Sequence, residues 1–151
     1  MSEPAKILVI DDDEIVRNSF STTLRNAGYG VETAENGAQA IAKSESRFYN
    51  LALIDIRLPD MEGTELLKKL KETTPKMVKI IVTGYPNLQN AVEAVNKGAD
   101  GYIIKPAEMG DLLRTIREHL TKQQNAEHFT EEKIKEFVET RLRKLDEGTS
   151  S

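Results

Sequence analysis

Leu51-Ala52-Leu53-Ile54-Asp55-Ile56 sets a single carboxylate inside an otherwise unbroken apolar run. A short run without polar alternation reads as a strand covered on both faces, which is the pattern of a parallel sheet. Working outward, Lys6–Ile10 (KILVI) leads into Asp11-Asp12-Asp13, and Met77–Thr83 (MVKIIVT) leads into Gly84. Val31–Ala34 and Gly101–Lys105 complete five strand candidates. Amphipathic segments fall between and after them, at Glu14–Ala27, Gly37–Ser46, Gly63–Glu72, Leu88–Lys97 and Glu108–Thr121. The first carries Ile15, Val16, Phe20 and Leu24 at near-helical spacing, and Gly28 and Gly98 are suited to close the first and fourth.

Five β-then-α units in succession predict an α/β fold: an open, doubly wound five-stranded parallel sheet with right-handed crossovers and helices on both faces. A closed eight-fold barrel needs far more than the 151 residues present. At this length one domain with a short appendage is expected, large enough to bury a real core.

Composition narrows the chemistry. With 38% hydrophobic and 30% charged residues the chain is a globular candidate, and no apolar run reaches the ~18 residues of a membrane span. Met1-Ser2-Glu3-Pro4 lacks a secretory pattern, so a cytoplasmic protein is expected. The absence of cysteine excludes disulfides, thiol catalysis and cysteine-ligated metals. A net charge of -4 argues against broad electrostatic binding to nucleic acid.

In open parallel sheets, ligands bind outside the carboxyl ends of the strands. Here those ends carry Asp11-Asp12-Asp13, Asp55, Thr83-Gly84 and Lys105-Pro106. Converging carboxylates must share protons or bind a cation, and oxygen-only donors favour Mg²⁺ or Mn²⁺ over zinc. A lysine, a hydroxyl and a glycine amide beside them supply what a phosphoryl group needs, and Asp55, isolated on a central strand, is the candidate nucleophile. Asp13 reads as a helix-start acid rather than a third ligand. A dinucleotide reading fails, because the turn after the first strand is acidic and lacks a glycine fingerprint. His119 and His128 have no acid–base constellation around them and read as surface histidines.

The stretches KILVIDDDEIVR, LALIDIRLPDMEGTELL, KIIVTGYPN and GADGYIIKP together resemble the receiver domain of two-component response regulators. The resemblance covers about residues 5–121 and implies a flavodoxin-like sheet of order 2-1-3-4-5. It further implies that Asp55 accepts a phosphoryl group from a sensor histidine kinase or a histidine phosphotransfer protein. Mg²⁺ would be held by Asp11, Asp12, Asp55 and the backbone carbonyl of Arg57. Thr83, Gly84 and Lys105 would bind the phosphoryl group, Thr83 and Tyr102 would act as switch residues, and the Lys105–Pro106 bond would be cis. Arg57 and Tyr85, two residues beyond Asp55 and Thr83, would flank the phosphoryl group and slow its hydrolysis. A carboxylate expected two residues after the nucleophile of a small-molecule phosphatase is replaced here by Arg57, so the chain would catalyse only its own phosphorylation and dephosphorylation.

Residues 1–121 are thus expected to form a receiver domain and 122–151 a helical extension. Lys122–Glu127 reads as a continuation of the last helix or a joint. Phe129-Thr130 followed by Ile134 reads as a hydrophobic staple around a Thr N-cap that starts a new helix. Ile134, Phe137, Val138, Leu142 and Leu145 fall on one face, available to the receiver itself, a second protomer or a partner, and Gly148–Ser151 reads as frayed. The favoured reading is a stand-alone regulator or phosphorelay intermediate that switches contacts with an effector protein, with a homodimer through the fourth helix–fifth strand–fifth helix face or the tail as an option. The alternative is the receiver fragment of a larger DNA-binding transcriptional regulator.

Overall fold

The computed structural model describes the backbone of residues 3–149 and the side chains of residues 3–143. Five strands, β1 (Lys6–Ile10), β2 (Gly30–Ala34), β3 (Leu51–Asp55), β4 (Val78–Thr83) and β5 (Gly101–Ile104), form one parallel sheet in the order β2-β1-β3-β4-β5. Five helices follow them in turn: α1 (Glu14–Asn26), α2 (Gly37–Ser46), α3 (Gly63–Lys69), α4 (Leu88–Asn96) and α5 (Met109–Thr149). The open doubly wound fold expected from the sequence is therefore present, in the expected strand order.

The apolar runs segregate by alternation. Leu8, Ile10, Ala52, Ile54 and Ile81 belong to the core beneath α2, α3 and α4, whereas Ile7, Val9, Leu53, Ile80 and Val82 meet Phe20 and Leu24 of α1 and Leu112 and Ile116 of α5. Period-two alternation in a strand buried on both sides produces this division.

Local signals fix the helix ends. The Asp13 carboxylate accepts from the amides of Ile15 and Val16, which confirms it as a cap; Asn36 and Asn87 cap α2 and α4 through Gln39 and Asn90. Gly28 and Gly98 adopt φ of 99° and 100° just beyond α1 and α4, where a left-handed residue lets the chain turn out.

The main departure concerns the tail. α5 is one helix of 41 residues, with no new start at Phe129-Thr130. No glycine or proline occurs from Asp111 to Glu147, and the Thr130 hydroxyl donates to the Ala126 carbonyl at 2.9 Å, a bond made inside a helix rather than at its start. The helix also runs through Gly148 and Thr149, expected to be frayed; Ser150 and Ser151 lie outside the described residues. Gln123 is the last strong tie of α5 to the domain, donating to the Asn50 carbonyl at 2.9 Å and to the Lys76 carbonyl at 2.8 Å. Beyond it Ile134, Phe137, Val138 and Leu142 are 49–60% exposed, so the stripe does not pack on its own receiver. The side chain of Leu145 lies outside the described residues.

Candidate functional site

The strand order reverses between β1 and β3, and the crevice above that point opens at their carboxyl ends. β1 delivers Asp11 and Asp12; β3, in register with it through Ile10 and Ile54, delivers Asp55. Carboxylate oxygens of Asp11, Asp12 and Asp55 lie within 4.8 Å of one another. Asp11 is buried, Asp55 half-buried and Asp12 exposed. Such an oxygen-only donor set suits a hard divalent cation, so the residues fit the Mg²⁺ that the sequence suggests.

Lys105 follows β5 and reaches back across the sheet edge. Its Nζ donates to Asp11 Oδ2 at 2.7 Å and lies 3.6 Å from Asp55 Oδ1. Burial works against its charge, but the bond to Asp11 and the fields of Asp11 and Asp55 outweigh that, and its pKa is raised. Burial pushes the Asp55 carboxyl up to about 6, with the Asp11 charge adding to the rise and Lys105 and the Arg57 amide opposing it. Asp55 is thus a carboxylate short of positive charge.

Thr83 ends β4 one step beyond Val82, the register partner of Asp55. It is fully buried, and its Oγ1 accepts from the Tyr85 amide at 2.9 Å. The Lys105 amide donates to the Thr83 carbonyl at 2.8 Å, which ties the two strand ends together. The Lys105–Pro106 bond is cis, as expected, and a second cis bond at Thr74–Pro75 was not anticipated. Gly84 is exposed, with nothing within 4 Å of where a Cβ would stand. Tyr102 is half-buried against the α2–α4 side of the core, and its hydroxyl is one of two buried side-chain polar atoms without a partner among the described residues. The Arg57 guanidinium lies over the Tyr85 ring, 4.7 Å from its centroid, so the two flanking residues touch each other.

Sequence reasoning missed three supports. Asp60 reaches the amides of Gly37 and Ala38, both at 2.9 Å, and these bonds hold its carboxyl below the usual range. They anchor the β3–α3 loop to the start of α2. A Cβ on Gly63 would stand 2.3 Å from the Asp55 carbonyl oxygen, and the Gly63 amide donates to Ile56 at 2.7 Å, so only glycine lets this loop fold back under the acid. Buried Lys79 donates to the Leu67 carbonyl at 2.8 Å near the end of α3. Asp60 and Gly63 stand in the quoted stretch LPDMEG, the one available signal; nothing near Lys79 marks its role. His119 is half-buried rather than a surface residue, its Nε2 3.2 Å from the Cβ position of Gly101, while His128 is exposed.

An acidic crevice with a lysine beside it, on the carboxyl edge of a 2-1-3-4-5 sheet, places the chain among the receiver-like doubly wound domains. The chain belongs to the response regulator receiver domain family, whose pattern it matches over residues 7–117. It is 48% identical to a CheY-like receiver domain protein from Methanospirillum hungatei JF-1, covering 82% of this chain and 98% of that one with a TM-score of 0.78. It is 40% identical to the transcriptional regulatory protein ZraR of Klebsiella oxytoca, over 78% of this chain but only 27% of that relative. A Burkholderia pseudomallei response regulator, solved with a phosphorylated aspartic acid, calcium ion and citrate, is 29% identical, covering 82% of this chain and 72% of that one with a TM-score of 0.71. Among the described residues no helix is long and apolar enough to cross a membrane.

Proposed function

We propose that the chain is a phosphorylation-operated switch in which Asp55 takes a phosphoryl group from a phosphohistidine of a sensor histidine kinase or a histidine phosphotransfer protein. The observation that carries this reading is the meeting of Asp11, Asp12 and Asp55 within 4.8 Å beside the Lys105 ammonium. An Asp55 oxygen attacks phosphorus, a P–O bond forms, and the P–N bond breaks with its electron pair left on the imidazole. Mg²⁺, held by Asp11, Asp12, Asp55 and the Arg57 carbonyl, would supply charge neutralisation to the phosphoryl oxygens when bound. Lys105 offers a fixed positive charge, and the Thr83 hydroxyl and Gly84 amide offer donors for a group that carries more negative charge than the carboxylate it replaces.

The Thr83 hydroxyl accepts from the Tyr85 amide and keeps its own proton to donate; turning it toward the phosphoryl group would give up the amide bond. That exchange shifts the loop after β4 and the environment of Tyr102, which gives the switch a local origin. Changed contacts with an effector protein are the output. The position two residues beyond Asp55 holds Arg57, which cannot act as a general acid or base, so turnover of a separate small substrate is not expected.

Intact-mass spectrometry after incubation with a small acyl phosphate tests the assignment. A single Mg²⁺-dependent phosphate adduct, absent in Asp55→Ala, is the expected result. Failure to label with both the acyl phosphate and a phosphorylated cognate kinase would refute it.

A second reading follows from the fraction of the ZraR relative that this chain spans: the receiver of a longer transcriptional regulator, with α5 as the connector. Reading the coding sequence past Ser151 decides it, since a basic DNA-binding domain must follow if it is correct.

A further inference from the structure

The seam by which α5 packs on the sheet continues, in phase, beyond the sheet. Ile134 stands 134 − 116 = 18 residues after Ile116, about five turns at 3.6 residues each, so both point the same way. Val138 repeats the orientation of Leu120 in the same manner, and Arg141 that of Gln123. Ile116 is fully buried, Leu120 packs on the core and Gln123 bonds to the domain floor, whereas Ile134 and Val138 are 58% and 49% exposed. A helix with such a face is marginal in water unless something covers the face.

The charges along this seam identify the cover. Glu127 and Glu131 lie on its domain-proximal part, where with Ile134 they line a groove of about 780 Å³ between α5 and the Thr73–Val78 segment. Arg141 lies on the distal part. The face thus runs from acidic through apolar to basic. A parallel pair of such helices in register sets each charge against its own copy, while an antiparallel pair sets acid against base.

We propose that a second copy of this chain covers the face by antiparallel pairing of the two α5 overhangs about a two-fold axis near position 136. Ile134 and Val138 lie two residues either side of that position, and Glu131 and Arg141 five either side, so one register satisfies both. Ile134 meets the partner's Val138, Glu131 meets the partner's Arg141, and the same pairs recur by symmetry. The register brings position 149 of the partner's helix level with Gln123, at the mouth of the groove.

Sedimentation equilibrium on the full chain tests this, with charge exchange as the diagnostic. The wild type is expected to be a dimer. E131R and R141E should each raise the dimer dissociation constant about tenfold or more, and the E131R/R141E double variant should restore it to within about threefold. I134D should leave a monomer whose circular dichroism retains the receiver fold and whose Asp55 still takes the acyl phosphate label. A wild type that is monomeric at every loading concentration overturns the proposal. So does a dimer indifferent to I134D, or one in which the charge exchange fails to rescue, since a parallel pair keeps like against like in every one of these charge variants.

Discussion

Lys105 is bonded to Asp11 at 2.7 Å and stands 3.6 Å from Asp55, so the one ammonium at this crevice among the described residues is committed to Asp11 rather than to the proposed phosphoacceptor. Asp55 retains only part of its attraction, which is why burial and the Asp11 charge prevail and lift its carboxyl to about 6. The resting crevice therefore attracts positive charge, and an incoming cation meets that demand.

The raised carboxyl has a consequence for stability. Folded Asp55 binds its proton up to about pH 6, whereas in the unfolded chain it releases it near 3.8. Between those values the folded state holds more protons, so this group's contribution falls as pH rises. Asp55→Asn should therefore be more stable than wild type at pH 7.5 without divalent cations, by about 1–3 kcal/mol, and the difference should shrink toward pH 4. Urea unfolding of both proteins at the two pH values measures it. A variant no more stable than wild type at pH 7.5 would refute the electrostatic account.

A bound cation should reverse that penalty. Saturating Mg²⁺ is expected to raise the wild-type melting temperature, because binding to the folded state alone adds about 2.7 kcal/mol at a hundredfold excess over Kd. Asp12→Asn and Asp55→Asn should show little of this gain. An equal shift in all three proteins would place the cation elsewhere.

Removing Lys105 strands a buried acid. Lys105→Met should cost about 3 kcal/mol, since Asp11 is 2% exposed and loses its ion-pair partner, keeping only the Asp13 amide. Adding Asp11→Asn should recover much of the loss, because both charges are then gone. A double-mutant cycle by chemical denaturation reads the coupling, and strict additivity would sink the idea.

Gly63→Ala is a backbone test of the site. Its methyl would stand 2.3 Å from the Asp55 carbonyl and 2.9 Å from Ile56 Cα, neither of which can swing aside. The variant should lose about 2 kcal/mol or more and label more slowly with acyl phosphate. Full labelling at wild-type rate would show that the loop has more freedom than this contact implies.

Arg57 and Tyr85 should govern adduct lifetime together. Their 4.7 Å stack joins the loop that follows Asp55 to the loop that follows Thr83. Breaking it, by Arg57→Ala or Tyr85→Ala, should shorten the acylphosphate half-life about two- to fivefold, in line with an exposed cation–π contact. Mass spectra taken over time after removal of the phosphodonor provide the rate. A half-life unchanged in both variants would mean the pair does not shield the site.

The sheet and the members of the crevice were legible because they rest on local signals, whereas the strand order came only with the family resemblance. Uninterrupted apolar strands, the Asp13 helix start, two turn glycines and polar residues at strand ends all lie where the chain itself records them. What escaped depends on distant partners. Asp60 caps a helix that begins 23 residues earlier in the chain, and Lys79 sits in a strand pattern that says nothing of the Leu67 carbonyl. The tail failed for a different reason. Phe129-Thr130 carries the composition of a helix start, but a cap residue nucleates nothing when the chain before it is already helical and no glycine or proline has released it. Composition there could not distinguish a beginning from a middle.

The clamp at Gln123 makes α5 a pointer with a fixed pivot. Its free arm to Thr149 is about 39 Å long at 1.5 Å per residue. A tilt of about 10° at the pivot would carry its tip about 7 Å, a distance longer than one turn of helix. Close to that pivot, His119 of the same helix rests against Gly101, the residue before Tyr102 in β5. Under the proposed switch, a small adjustment at the edge strand would be geared up along a stiff rod, so that the far end of the helix would register a change at a carboxylate it never touches.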